Sequence, residues 1–297
     1  MAGKPTMMYY GETQCVALKR DGERCTNKAY YIGNLCGVHG KDKTKLPKNP
    51  NAAAILKGKR ADHETSVELA KEENVKHNRI GILCLEKMKM MKATPDRPGY
   101  IKVYPNYQDG NKRDGLGMPS LSPKSIGPIY HGQPGLPPAK NLENLHQGNK
   151  CYSKEMADGA PGSLFMSRRI EMYNDKVPWR HKQKRYSDIT DKHPLFSVWR
   201  ERDGTERQLT YIESRQIYCT LYEHMIEELQ DYIKLQGLLK EGYNLQICGY
   251  DAYEPPAFTA AAFEKCYLDP SKPFGHELVL AAMLLDFKPW IKHTFIL

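Results

Sequence analysis

Helical periodicities and short strand patterns interleave along this chain, and together they predict a mixed α and β (α+β) fold, rich in helix with a small sheet. Three observations carry that expectation. Ser214–Gln230 sets Ile217, Leu221, Ile226 and Leu229 on one broad helical face. Phe196–Glu201 and Gln208–Ile212 alternate about Asp203–Gly204, as the two arms of a hairpin do. Leu245–Gly249 is short and apolar, as a buried strand is.

The remaining elements follow in order. Asp21–Gly22 and Gly33–Asn34 mark turns in an N-terminal unit spanning residues 14–40. A Lys/Pro/Asn-rich linker leads to residues 52–92, the longest helix-compatible region, whose second half is dense in Ile, Leu and Met. Residues 93–138 carry a proline or glycine every few positions, with one strand at Tyr100–Tyr104; their aromatic and apolar residues suggest an ordered, wrapping loop. Residues 141–155 read as a helix, residues 229–239 as another ending at Gly242, and residues 276–285 as an apolar helix. The expected organisation is 1–50 for a metal module and linker, 51–120 for a helical and wrapping segment, and 121–297 for the main domain.

Composition narrows the partners. A chain of 297 residues holds one large domain or two smaller ones. No run approaches the roughly 18 to 20 apolar residues of a membrane span, and Met1–Tyr10 lacks the apolar run of a secretory signal. A soluble intracellular protein with no membrane partner is expected. The net charge of +9 gathers at Lys41–Lys48, Lys57–Arg60, Lys87–Lys92 and Arg180–Arg185. Such patches attract nucleic acid or nucleotides, though a solubilising surface has the same composition. Trp179-Arg180-His181-Lys182 reads either as an aromatic and basic nucleic-acid strip or as a surface loop.

Cys15, Cys25, Cys36 and His39 follow the spacing Cys-x9-Cys-x10-Cys-x2-His. Thiolates and imidazole in fours suit tetrahedral zinc, and three thiolates with one histidine close the coordination shell. The zinc is expected to be structural. Whether the module is only a folding staple or also docks nucleic acid or protein is open at this level. The other five cysteines stand singly in apolar sequence, as small buried side chains do.

A second constellation is Asn141-Leu-Glu143-Asn-Leu-His146-Gln147-Gly-Asn-Lys150. On a helix, Glu143, His146, Gln147 and Lys150 share one face. A solvated face is one reading. The other comes from the pattern Glu-x-x-His-Gln-x-x-Lys, which resembles the helix signature of the NADAR family, Glu-His-x-Tyr-Gln-x-x-Lys. Leu121-Ser122-Pro123 with Gly127-Pro128-Ile129 resembles that family's Leu-Ser-Asn-Phe loop. Residues 235–247 resemble its helix-then-strand block, and Gly275-His276-Glu277-x-x-Leu280-x-x-Met283-Leu284 its closing helix. The resemblance runs from Leu121 to Trp290. Pro123-Lys124 replaces Asn-Phe, Tyr253 stands where a tryptophan is expected, and Glu277 replaces an asparagine. The whole chain also resembles proteins of large DNA viruses, which implies a cytoplasmic or viral-factory location, or the virion.

The resemblance implies a NADAR-like domain that cleaves an N-glycosidic bond in an ADP-ribosyl or nucleotide-type substrate. N-glycoside cleavage develops positive charge on the sugar, so a carboxylate that stabilises it and activates water is required. Glu143 is the candidate, with Asp251, at the end of the 245–249 strand, as a second carboxylate. Lys150, Arg168, Arg169 and Arg215 are candidates for holding phosphate. Gln147 would position ribose hydroxyls, and Glu277 is a further substrate-binding candidate. The alternative is a catalytically inactive, zinc-containing protein that binds nucleic acid or protein, as a virion component does.

Overall fold

The computed structural model describes residues 13–19, 21–36, 38–40, 45, 50–90, 92–112, 114–179 and 193–293. Basic residues 180–185, including the Arg180–Lys182 part of the aromatic strip, lie outside the described residues, as do most of Lys41–Lys48. The chain divides into two compact units, Met1–Asp62 and His63–Leu297.

The first unit is organised by turns. Gln14 bridges Lys28 and Leu18 bridges Arg24, both antiparallel, about Gly22 at φ 81°. A second reversal through Gly33 and Asn34, both at positive φ, brings Tyr31 against Leu35. Asparagine and glycine are the residues that tolerate this left-handed backbone. Helix α1 (Ala52–Lys76) contains the division between the units.

In the second unit the chain lays down β1 (Leu83–Lys87), β2 (Tyr100–Tyr104), β3 (Leu116–Gly117), α2 (Leu142–Gly148) and β4 (Lys150–Cys151). There follow β5 (Met156–Ala157), β6 (Ala160–Pro161), α3 (Ser163–Asn174), β7 (Phe196–Arg200), β8 (Glu206–Leu209) and α4 (Tyr211–Ile226). The last elements are α5 (Gln230–Lys240), β9 (Asn244–Gly249), α6 (Ala260–Leu268) and α7 (His276–Leu284). The fold is mixed α+β.

The main sheet has the order β1-β9-β2-β3, with every neighbouring pair parallel. The last strand in sequence is thus inserted between two early ones. All of β9 is buried, as the interior strand of a parallel sheet must be. Helix α7 is buried at every position from Glu277 to Met283, and a helix enclosed all round reads as apolar on all faces. A second, antiparallel sheet, β4-β7-β8, closes on the hairpin whose turn holds Gly204 at φ 88°.

Several expectations are met closely. Strand β2 has the expected limits, and the expected 245–249 strand, 276–285 helix and 214–230 helix correspond to β9, α7 and α4. The five single cysteines are all buried and free. Two expectations are corrected. The region 52–92 is not one helix: α1 stops at Lys76, and its Ile/Leu/Met-rich continuation contains β1. Asn78 turns at φ 51°, and Gly81 passes so close to Tyr243 that any Cβ would strike that residue's carbonyl. The region 141–155 is also not one helix. After α2 the chain enters β4, so Lys150 stands on a strand rather than on the last helical turn.

Arg168 and Glu155, both almost fully buried, hold this corner together, with the guanidinium Nε 2.5 Å from the carboxylate. Removing one member of such a pair leaves an uncompensated buried charge. Glu155→Ala is therefore expected to lower the free energy of unfolding by about 3–5 kcal/mol, read from urea denaturation of the full chain.

Candidate functional site

In the first unit the hairpin brings Cys15 and Cys25 together, and the turn after Cys36 adds His39. The four ligand atoms all lie within 4.8 Å of one another. Cys25 Sγ is 3.9 Å from Cys36 Sγ, and His39 Nδ1 lies 3.5 Å from Cys15 Sγ and 3.3 Å from Cys36 Sγ. The Cys36 backbone N–H donates to Cys15 Sγ at 3.3 Å, the contact a thiolate favours. Burial pushes the Cys36 thiol up, but the backbone amides of His39 and Val38 outweigh it and hold it at about 6. Four converging donors, three of them thiols, are compatible with a metal site of the kind their spacing anticipates.

The second constellation is built on α2. Its first turn is fixed by the preceding loop: Leu142 N–H donates to Ile126 O at 2.9 Å and Glu143 N–H to Pro123 O at 3.0 Å. Asn141 caps the helix, its side chain accepting from Asn144 N–H at 2.8 Å. These contacts satisfy amides that a helix cannot satisfy itself. They also seat residues 123–126 against the start of the helix that carries Glu143 and Gln147.

Along the half-buried side of α2, Lys150 Nζ, from β4, donates to Gln147 Oε1 at 3.1 Å, and Gln147 Nε2 donates to Glu143 Oε1 at 3.2 Å. The amide is oriented by a donor on one side and an acceptor on the other. Burial lowers the Lys150 ammonium, while the charges of Glu143 and Asp251 oppose the shift. Asp251, exposed just beyond the end of β9, is therefore within electrostatic range of Lys150. Burial, with the Lys150 and Arg215 charges added, holds His146 well below its usual range, so the ring is neutral at pH 7. It packs on Tyr218 with ring centroids 5.1 Å apart.

Glu277 comes to the same place from α7. The residue is 1% exposed. Its Oε1 lies against Gly249, where a Cβ would collide with it, and its Oε2 lies beside Gly275. The Tyr218 phenol is held well above its usual range by burial first, then by the charges of Tyr222, Glu143 and Glu277.

The three arginines expected to hold phosphate are otherwise engaged. Arg168 pairs with Glu155, and Arg169 pairs with Glu206 and reaches Gln133. Arg215 is corrected from a substrate ligand to a structural clamp: its guanidinium bonds the carbonyls of Cys266, Tyr267, Asp269 and Lys272, and the hydroxyl of Tyr211. Those carbonyls lie at and after the C-terminal end of α6, where a cation is favoured. An apolar cavity beside α2, walled in part by His146, Tyr218 and Trp199, has a volume of about 10 Å³, room for one water. Glu143, Lys150 and Asp251 do not line it.

Sequence reasoning missed Tyr218 and Tyr222. Their i, i+4 spacing on α4 was the available signal, and the rings stack with centroids 6.2 Å apart. Among the described residues no helix is long and apolar enough to cross a membrane. No family model matches the chain, and no curated protein or solved structure matches it.

The metal group gives a direct expectation. The full chain should carry one metal ion per molecule by elemental analysis. Cys36→Ser should abolish it and expose residues 13–40 to proteolysis, while the main unfolding transition of residues 63–297 is unchanged.

Proposed function

We propose that this chain is an N-glycosidase-like hydrolase that cleaves an N-glycosidic bond in an ADP-ribosyl or nucleotide-type substrate, with Glu143 as its catalytic carboxylate. The observation that carries the reading is the oriented chain Lys150–Gln147–Glu143, which shares one electrostatic neighbourhood with Asp251 at the end of the central parallel strand. Strand ends of parallel sheets are where such folds present working side chains. The NADAR-like signature on α2 supports the same assignment.

In this reading Glu143 orients a water against the anomeric carbon and accepts its proton as the C–N bond breaks. The bond's electron pair leaves with the nitrogen, which is protonated from solvent. The carboxylates of Glu143 and Asp251 stabilise the positive charge that develops on the sugar. Gln147 positions sugar hydroxyls, and Lys150, the cation of this group, faces the substrate's negative charge. Basic patches offer a route for nucleic-acid substrates.

The metal proposed for the first unit is structural zinc. A Zn–S bond of about 2.3 Å makes the S···S edge of a tetrahedron about 3.8 Å, against the 3.9 Å between Cys25 and Cys36. With four protein donors the zinc would have no open position, so its role is to staple the hairpin.

Glu143→Gln should reduce turnover of ADP-ribosylated nucleic acid by at least about 10³-fold, with the fold unchanged by circular dichroism. No turnover by the wild type, together with steeply salt-dependent nucleic-acid binding, would favour the non-enzymatic reading instead. Lys150 gives a pH test. Its ammonium is lowered, so its charge is lost as pH rises and at a lower pH than for an exposed lysine. Affinity for an anionic substrate should fall on that alkaline limb, and Lys150→Met should remove the limb.

A further inference from the structure

Positive charge is concentrated in the unit that bears the metal group. Of the chain's 44 lysines and arginines and 35 aspartates and glutamates, residues 1–62 hold 12 and 5, a net +7, which leaves 32 against 30 for residues 63–297. Such an asymmetry suits a polyanionic partner. The hairpin of this unit has a regular register. Gln14 pairs with Lys28 and Leu18 with Arg24, while between them Cys15 N–H donates to Asn27 O at 2.7 Å and Cys25 N–H to Ala17 O at 2.8 Å. Successive side chains of a ribbon point to opposite faces. Cys15, Cys25 and Ala29 are buried on the inner face, and Ala17 packs against the two cysteines.

The outer face is a different surface. It presents Val16, Leu18, Arg24, Thr26 and Lys28, all exposed, with Val16 at 45% and Leu18 at 64%. Leu18 lies directly across from Arg24, and the same register sets Val16 across from Thr26. Side chains so placed stand about 5 Å apart. One strand thus offers aliphatic side chains and the other offers two cations with a threonine between them. Nearer the turn, Glu23 compensates Lys19 at 2.8 Å. Among the described residues Arg24 and Lys28 form no ion pair, so their charge faces solvent.

We propose that this outer face docks single-stranded nucleic acid, with Arg24 and Lys28 on its phosphates and Val16 and Leu18 against its bases. Holding phosphates requires only the cations. Val16 and Leu18 gain nothing from a phosphate backbone, and a duplex keeps its base faces stacked, whereas a single strand opens them to apolar side chains. An anionic bilayer also attracts cations. Binding to its surface draws on a broad apolar face, often with Trp or Phe, and this face has two aliphatic side chains and no aromatic ring. Cys15 and Cys25, on opposite strands, converge with Cys36 and His39 behind the ribbon, so the docking face is preformed. No residue of the second unit takes part, and the binding does not depend on turnover at Glu143.

Fluorescence anisotropy of the full chain tests this, with a labelled single strand of about 12 nucleotides and the same sequence as a duplex. The single strand should bind about tenfold or more tightly than the duplex, with affinity falling as salt rises. Arg24→Ala and Lys28→Ala should each flatten the plot of log affinity against log salt by about 0.7, the contribution of one phosphate contact. Replacing Val16 and Leu18 together by serine should weaken binding about tenfold at every salt concentration and leave the slope unchanged. All four side chains are exposed, so these variants should keep the circular dichroism and metal content of the wild type. Lys240→Ala, exposed on the second unit, and Glu143→Gln should both bind as the wild type does. No binding of the single strand by folded wild type, equal or tighter binding of the duplex, or unchanged slopes in both cation variants would overturn the proposal. So would displacement of the strand by phosphatidylserine vesicles at equal phosphate concentration. Turnover without this binding would sink the proposal and leave the hydrolase reading standing; binding without turnover would do the reverse.

Discussion

The guanidinium of Arg168 sets the corner on which the candidate site is built, although it is buried behind the site and does not face it. It reaches from α3 to the Glu155 carboxylate, to Gln147 O at 3.5 Å and to Lys150 O at 2.5 Å. One planar group thereby ties the end of α2, strand β4 and the turn at residues 153–155 into a single arrangement. Lysine could not substitute, since a point charge lacks the fixed fork of donors that meets these acceptors at once. The main-chain positions of Gln147 and Lys150, and so the direction of their side chains, follow from an ion pair to which neither side chain belongs.

This division between supporting and working charges recurs through the main unit. Lys102, buried on β2, is held by Thr94 O, Asp96 and Asp114, and Tyr104 adds a further bond to Asp114. Arg215 is wrapped in carbonyls, and Glu213 closes a capping box with Thr210. Each has partners that account for its burial, as buried charge requires. At the junction of α2, α4 and α7 the balance differs. The charges of Glu143 and Asp251 act on Lys150, beside a neutral His146, and those of Glu143 and Glu277 act on Tyr218. Groups shifted by burial and by one another's charges in this way gather where folds do chemistry more often than elsewhere.

How much of this was legible depended on whether the information was local. The metal group was readable because its four ligands lie within 25 consecutive residues and the turn residues between them dictate their convergence. Helix α4 and strands β2 and β9 were readable from periodicity and flanking turns. Strand β1 was not, because a short run of Ile, Leu and Met satisfies helix and buried strand alike until a partner strand decides. That partner, β9, lies some 160 positions away. Helices α3 and α6 were not anticipated. Arg215 looked like a phosphate ligand because sequence shows a cation's type but not the carbonyls that surround it. Lys150 does meet Gln147, but it reaches it from a strand, which helical spacing alone could not reveal.

The order of the main sheet explains why the site draws on such distant parts of the chain. Strand β9 is the last to be made, yet it pairs with both β1 and β2, so the early strands have no common neighbour until residues 244–249 are present. The same strand ends at Gly249, and the chain beyond it supplies Asp251 and then Glu277. Helix α2, from the middle of the sequence, meets these residues only when α4 and α7 have packed together. Long-range pairing of this kind is slow to form because chain entropy is lost before contacts offset it. The residues of the site therefore come into register only when the sheet is complete and α7 is buried in the core.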